Sequence, residues 1–67
     1  MKFDNGKLSS FLREKNMKQI EFAHAINRAP STVSSYISGK GEPGRKALIA
    51  MSEVLDLPMH ELLKAED

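Results

Sequence analysis

Cysteine and tryptophan are absent from the 67-residue sequence, which also has only three phenylalanines and one tyrosine. Without cysteine the chain can form neither a disulfide nor a thiolate metal site, and we expect it to work in a reducing, cytoplasmic compartment. Long apolar runs are absent too, so we predict no signal peptide and no membrane span. So short a chain has room for one modest core, and we predict a single domain over residues 1–67.

The sequence also has little excess of either charge, because its net charge is only +1. That value is low for a nucleic-acid-binding domain, but the charges are unevenly distributed. Residues 1–46 have a net charge of +5, whereas residues 47–67 have a net charge of −4. The basic part suits a polyanion, and the acidic part must face solvent or a protein partner. A chance fluctuation among scattered surface charges is the alternative explanation.

Apolar residues recur at helical spacing in two N-terminal segments. We predict a first helix over residues 7–15, after a turn at residues 4–6, and a second helix over residues 19–26. The buried stripes would consist of Leu8, Phe11 and Leu12 in the first helix and of Phe22, Ala23 and Ile26 in the second. Asn27 interrupts the second stripe and tolerates a left-handed backbone, which favours a tight turn at that position.

Proline and glycine divide the remainder of the chain into three more helices. We predict that the third helix starts at Pro30, whose missing N–H costs nothing at a first position, and stops at Gly39. A loop at residues 41–44 leads to a fourth helix, and a short fifth helix follows Pro58 before the charged tail at residues 64–67. The apolar positions are Val33, Tyr36 and Ile37, then Leu48, Met51, Val54 and Leu55, then Met59, Leu62 and Leu63. Five helices with short connections predict an all-α bundle.

The second and third helices are joined by a turn of three or four residues, a geometry that can present the third helix to a DNA major groove. Several residues occur together here: Gln19 at the start of helix two, the small Ala23, Val33, Gly39, and the segment Val54-Leu55-Asp56-Leu57-Pro58. In this combination the sequence resembles the Cro/C1-type, or xenobiotic-response-element, helix-turn-helix family. The resemblance covers nearly the whole chain.

This resemblance implies a five-helix, lambda-repressor-like DNA-binding bundle in which helices two and three form the helix-turn-helix. It also implies a phage or bacterial transcriptional repressor that binds a partly palindromic operator as a dimer. Lys18, Asn27 and Ala29 depart from the capping and turn residues that are common in the family. These departures affect the predicted helix bounds, but Asn27 can still adopt the turn conformation.

The candidates for reading bases lie on and just before the third helix. If Val33 and Tyr36 face the core, the opposite face is rich in serine and contains Pro30, Ser31, Ser34, Ser35 and Ser38. A hydroxyl can approach a base edge, although it discriminates bases less well than a bidentate group does. Arg28 is placed to make a bidentate contact to guanine, and Ala29 or Pro30 could contact a thymine methyl. The alternatives are a phosphate contact for Arg28 and an ordinary polar surface for the serines.

The resemblance implies phosphate contacts at two places. Gln19, together with the preceding Lys18, would bind a phosphate at the start of helix two, where backbone N–H groups and the helix dipole favour an anion. Further phosphates would be bound around the loop after helix three by Ser38, Lys40, Arg45 and Lys46. Ordinary surface charge is the alternative for these residues.

The acidic C-terminal part would repel DNA, so we expect it to point away from the duplex. Among Met59, Leu62 and Leu63, we expect two to fill the core and at least one to be shared with a second copy in a homodimer. A symmetric dimer would place its recognition helices about 34 Å apart and would bind two inverted half-sites of duplex DNA. We expect no cofactor, metal, membrane or small-molecule ligand.

An enzymatic function is not expected. His24 and His60 are far apart in the sequence, and neither belongs to a spaced metal-ligand or triad motif. The main alternative to a DNA-binding regulator is a protein-interaction module, such as an antitoxin or adaptor, that uses the same helical fold. In that case Tyr36 or the segment 59–63 would bind another protein.

Overall fold

The computed structural model describes residues 2–64 and is all-helical over that range. It contains four α-helices, α1 (Asn5–Glu14), α2 (Gln19–Ala25), α3 (Pro30–Ser38) and α4 (Arg45–Leu55), followed by a 3₁₀ helix (Met59–Leu62). The predicted all-α class is therefore confirmed, but the predicted fifth helix is only a short 3₁₀ segment. Of the charged tail predicted at residues 64–67, only Lys64 is among the described residues.

The first helix begins two residues earlier than predicted. Asp4 is its N-cap, and the Asp4 Oδ1 atom accepts a hydrogen bond from the Lys7 backbone N–H at 3.1 Å. A side-chain acceptor at this position satisfies one of the backbone N–H groups that a helix start leaves unpaired. The segment Asp4-Asn5-Gly6, predicted as a turn, is thus a cap followed by the first two residues of α1.

The chain leaves every α-helix through a residue with a left-handed backbone. These residues are Asn16, Asn27, Gly39 and Asp56, with φ values of 55°, 58°, 85° and 55°. After α2, the Arg28 N–H donates to the Ala23 carbonyl at 2.9 Å and the Asn27 N–H donates to the His24 carbonyl at 3.1 Å. This pair of hydrogen bonds is a Schellman motif, which satisfies carbonyls at the end of a helix. The predicted stops at Asn27 and Gly39 are confirmed.

One apolar core joins all the helices. The side chains that are fully buried and largest are Phe22, Leu8, Met51, Leu55, Leu62 and Val33. Most residues of the predicted stripes are buried, whereas Phe11, Ile37, Leu48 and Val54 are only half-buried against the core. Phe3, which no helical pattern includes, is also part of the core and contacts Tyr36 edge-on, with 6.3 Å between ring centroids.

The two ends of the described chain pair with each other. Phe3 and Leu63 form an isolated antiparallel bridge. The Asp4 N–H donates to the Leu62 carbonyl at 2.8 Å, and the Lys64 N–H donates to the Lys2 carbonyl at 2.7 Å. This pairing holds the start of α1 beside the 3₁₀ helix. Within residues 2–64, no helix combines the length and the apolar character that a bilayer span requires.

Candidate nucleic-acid interface

The helix-turn-helix unit depends on close packing between α2 and α3. Ala23 in the middle of α2 and Val33 near the start of α3 are both completely buried. A small side chain at Ala23 lets the two helices approach closely, and the Schellman motif after α2 redirects the chain within a few residues. Pro30 then starts α3, as its fixed φ favours. The predicted unit of two helices and a tight turn is therefore present.

The N-terminus of α2 has an exposed Gln19 as its first residue and an exposed Lys18 before it. Glu21 Oε1 accepts a hydrogen bond from the Lys18 backbone N–H at 2.8 Å. A complete capping box would also need the Lys18 side chain to accept a hydrogen bond from the Glu21 N–H. The Lys18 ammonium group has no acceptor, so only one of the two hydrogen bonds is present. Because Glu21 already uses the Lys18 N–H, a phosphate here would be bound by the two exposed side chains and the N–H groups that follow.

The outward face of α3 is formed as predicted, with one difference. Pro30, Ser31, Ser34 and Ser38 are exposed, but Ser35 is half-buried. A Cβ atom built on Gly41 would lie only 3.1 Å from Ser35 Oγ, so the Ser35 side chain packs against the loop that follows the helix. Base readout by serine is therefore sterically easier for the exposed Ser31 and Ser34 than for Ser35.

Ser38 and Arg28 both have intramolecular hydrogen bonds that a DNA contact would have to compete with. Ser38 Oγ donates to the Ser35 carbonyl at 3.2 Å, so its hydroxyl hydrogen must rotate away before it can meet a phosphate. Arg28 Nη1 donates to the Asn27 carbonyl at 3.3 Å. That bond is long and solvent-exposed, and the guanidinium has further donors in a planar fork. Arg28 therefore remains able to reach a base edge or a phosphate.

The remaining basic candidates for phosphate binding lie in the loop after α3 and at the start of α4. The N–H groups of Lys40 and Gly41 both donate to the Ser35 carbonyl, at 3.1 and 3.2 Å, which ties the loop to the last turn of α3. Lys40, Arg45 and Lys46 are exposed, and the last two are the first residues of α4. Since the α4 N-cap is Gly44, which has no side-chain cap, the first N–H groups of this helix are open to an anion.

An open groove beside the start of α3 was not predicted from the sequence. It has a volume of about 360 Å³. It is lined by the buried Ala23 and, at its rim, by exposed residues, and we call it the α2–α3 groove; the rim residues are Ile20, His24, Asn27, Arg28, Ala29 and Pro30. Ile20 leaves 57% of its surface exposed. The sequence does contain a signal for this feature, because Ile20 is an apolar residue that lies off the buried stripe of α2.

The predicted interface residues at the C-terminal end differ in their burial. Leu62 is completely buried and fills the core of the single chain, so it has no side-chain area to share with a second copy. Met59 and Leu63 are half-buried and retain exposed apolar surface. Tyr36 is only 8% exposed, which leaves little of its ring for contact with another protein.

Comparisons with known proteins agree with this architecture. A family model described as helix-turn-helix matches residues 8–62. Among solved structures, a transcriptional regulator from Listeria innocua superposes with a TM-score of 0.86 at 25% identity, over 100% of this chain and 64% of that one. The SOS-response transcriptional repressor LexA from Eubacterium rectale has the same fold, with a TM-score of 0.85 at 19% identity, over 94% of this chain and 67% of that one. A comparison with curated protein sequences finds no significant match.

Proposed function

Because the chain belongs to the helix-turn-helix family, whose members are non-enzymatic DNA-binding proteins, we propose that it is a transcriptional regulator that binds specific duplex DNA sequences. The observation that carries this proposal is the exposed, polar outward face of α3, a helix that packs against α2 and buries Val33 in the same core as Ala23. In this function α3 enters the major groove. Pro30, Ser31 and Ser34 meet base edges there, and Arg28 binds a guanine or a neighbouring phosphate.

The phosphate contacts are proposed to flank α3 on both sides. Gln19 and Lys18 lie at the start of α2, and Lys40, Arg45 and Lys46 lie in the loop after α3 and at the start of α4. Backbone contacts at two places set the register of the recognition helix on the duplex but do not read sequence. The net charge of +5 over residues 1–46 supports phosphate binding by this part of the chain, which contains α1 to α3.

We further propose that the protein binds as a homodimer to two inverted half-sites and acts as a repressor in a phage or bacterium. The described part of the chain measures 33 × 22 × 20 Å. These dimensions are compatible with two copies, related by a two-fold axis, whose α3 helices lie about 34 Å apart, which is one turn of DNA. The exposed parts of Met59 and Leu63 are the candidate contacts between the copies. The Listeria innocua protein is described as a transcriptional regulator and supports regulation as the biological role.

Selection from a random duplex pool tests this proposal. Purified protein is incubated with the pool at moderate salt, and the bound molecules are sequenced after several rounds. We expect an enriched motif of two inverted half-sites about 10 base pairs apart, centre to centre. Absence of any enriched motif, with retention that vanishes on a small addition of salt, would contradict the proposal. It would favour a protein-interaction module that uses the same fold.

A further inference from the structure

Ile20 is the most exposed large apolar side chain among residues 2–64, with 57% of its surface accessible. It lies in the first turn of α2, next to the proposed phosphate contact at Gln19. The fold does not require an apolar residue there, because the core positions of this segment are Phe22 and Ala23 in α2 and Ile26 at its C-cap. An exposed isoleucine is common on protein surfaces, but this one forms the wall of a groove.

The α2–α3 groove is continuous with the proposed reading surface. Pro30 and Arg28 belong both to the groove rim and to the base-readout candidates. Ala29 and Pro30, which line the same groove, are exposed and add apolar surface to that of Ile20. A duplex that receives the first turn of α3 in its major groove therefore brings base edges next to the mouth of this groove.

The chemistry of the groove selects one kind of group on the duplex. Among the base edges in the major groove, only thymine presents an apolar group, its C5 methyl. The groove also has Arg28 on its rim, and a guanidinium there would attract the phosphate or guanine beside such a thymine. A hydrophobic wall combined with a cationic rim fits a thymine methyl next to the DNA backbone.

On the basis of the proposed function, we propose that the α2–α3 groove is a thymine-binding subsite in which Ile20 packs against the C5 methyl of one operator thymine. Ile20 on α2 is then a specificity-determining residue that lies outside the recognition helix. Part of the sequence readout then lies on α2. It adds to the readout by the serine-rich face of α3, whose hydroxyl groups discriminate bases weakly.

Replacing thymine by deoxyuridine tests the subsite, because this change removes only the methyl group. The selected operator is resynthesised with each thymine of one half-site replaced in turn, and each duplex is titrated with wild-type protein and with Ile20→Ala. Ile49→Ala is the matched control, since Ile49 is the other exposed large apolar residue, at 41% exposure, and it lies on α4. Circular dichroism checks that all three proteins are folded.

We expect one thymine at which deoxyuridine weakens binding of the wild type and of Ile49→Ala by about fourfold, the value for one buried methyl group. For Ile20→Ala the same replacement should weaken binding by less than about twofold, since the methyl then has no isoleucine to pack against. Equal losses in all three proteins, or no effect of any replacement, would overturn the subsite and leave the groove to a protein partner. If no operator is enriched in the selection, the proposed function fails, and the subsite fails with it.

Discussion

The side-chain amide of Asn5 donates a hydrogen bond to the main-chain carbonyl of Ile37, with 3.1 Å between Nδ2 and the oxygen. The bond joins the first residue of α1 to the last turn of α3, across 32 positions of sequence. A Cβ atom built on Gly39 would lie 3.5 Å from the same amide, so Asn5 packs directly over the end of α3. A residue of α1 therefore helps to place the end of α3 from which the proposed phosphate-binding loop departs.

This relationship predicts that Asn5→Asp destabilises the domain. The aspartate would keep the shape of the side chain, but its carboxylate cannot donate to the Ile37 carbonyl and would face it with negative charge. We expect a loss of about 1 to 3 kcal/mol in the free energy of unfolding, measured by urea denaturation. Ser10→Ala, an exposed change on the same helix, should leave the value within about 0.5 kcal/mol. An Asn5→Asp protein as stable as the wild type would show that the hydrogen bond contributes nothing.

The backbone of Asn27 predicts that two substitutions at this position differ in their effect on stability. Its φ of 58° lies in the left-handed region, where an L-residue without a short polar side chain is strained by roughly 1–2 kcal/mol. Asn27→Ala should lower the melting temperature by several degrees, whereas Asn27→Gly should leave it nearly unchanged because glycine adopts this conformation freely. Thermal unfolding followed by circular dichroism compares the two. Equal melting temperatures for both variants would contradict a strained turn.

The proposed roles of Arg28 and Lys40 predict different binding defects. Arg28→Ala should reduce affinity for the selected operator by roughly 1–3 kcal/mol and relax preference at one base pair, if its guanidinium reads guanine. Lys40→Ala should weaken binding to operator and random duplex alike, and it should make the slope of log affinity against log salt shallower by about 0.9 for each phosphate that is no longer neutralised. Fluorescence anisotropy at several salt concentrations measures both quantities. Unchanged affinity in both variants would remove these two site assignments.

Leu62 and Met59 differ in burial, so truncating them should affect different equilibria. Truncation of Leu62 should affect folding, and truncation of Met59 should affect dimerisation. Leu62 is fully buried, so Leu62→Ala should cost about 2–5 kcal/mol of stability, comparable to the roughly 3–5 kcal/mol that the core of so small a domain supplies. That variant should be largely unfolded at 25 °C. Met59 is half-exposed, and Met59→Ala should stay folded but dissociate into monomers at higher protein concentration than the wild type. Sedimentation equilibrium tests the second expectation, and an unchanged dimer would exclude Met59 from the interface.

Much of the local structure could be predicted because each signal involves residues close in sequence. Pro30 as a first helical residue, Gly39 as a stop and Asn27 as a left-handed turn residue each act within one turn of helix. Asn16 and Asp56 are also left-handed, but neither is predicted as a stop, because Asn and Asp adopt this conformation only occasionally and residue type alone does not mark it. The predicted start of α1 is wrong because Asp4 can cap a helix or begin a turn, and the segment Asp4-Asn5-Gly6 is compatible with both.

In the candidate site, too, some features could be predicted from the sequence and others depend on tertiary contacts. The exposure of Pro30, Ser31 and Ser34 follows from helical periodicity once Val33 and Tyr36 face the core. The half-burial of Ser35 depends on how closely the loop approaches at Gly41, a contact that periodicity does not describe. The position of Ile20 on the wall of a groove likewise requires the turn after α2 to bring Pro30 into the same groove.

The amino-acid sequence by itself determined the helical class, the order of the elements and the faces of α2 and α3, because apolar spacing and capping residues act over distances of a few residues. The tertiary structure alone decided that Phe3 bridges to Leu63, that Asn5 binds the end of α3, and that Leu62 fills the core. These contacts join residues that are distant in the chain, and their energy depends on the packing of all the helices together. No local pattern of residues specifies that packing.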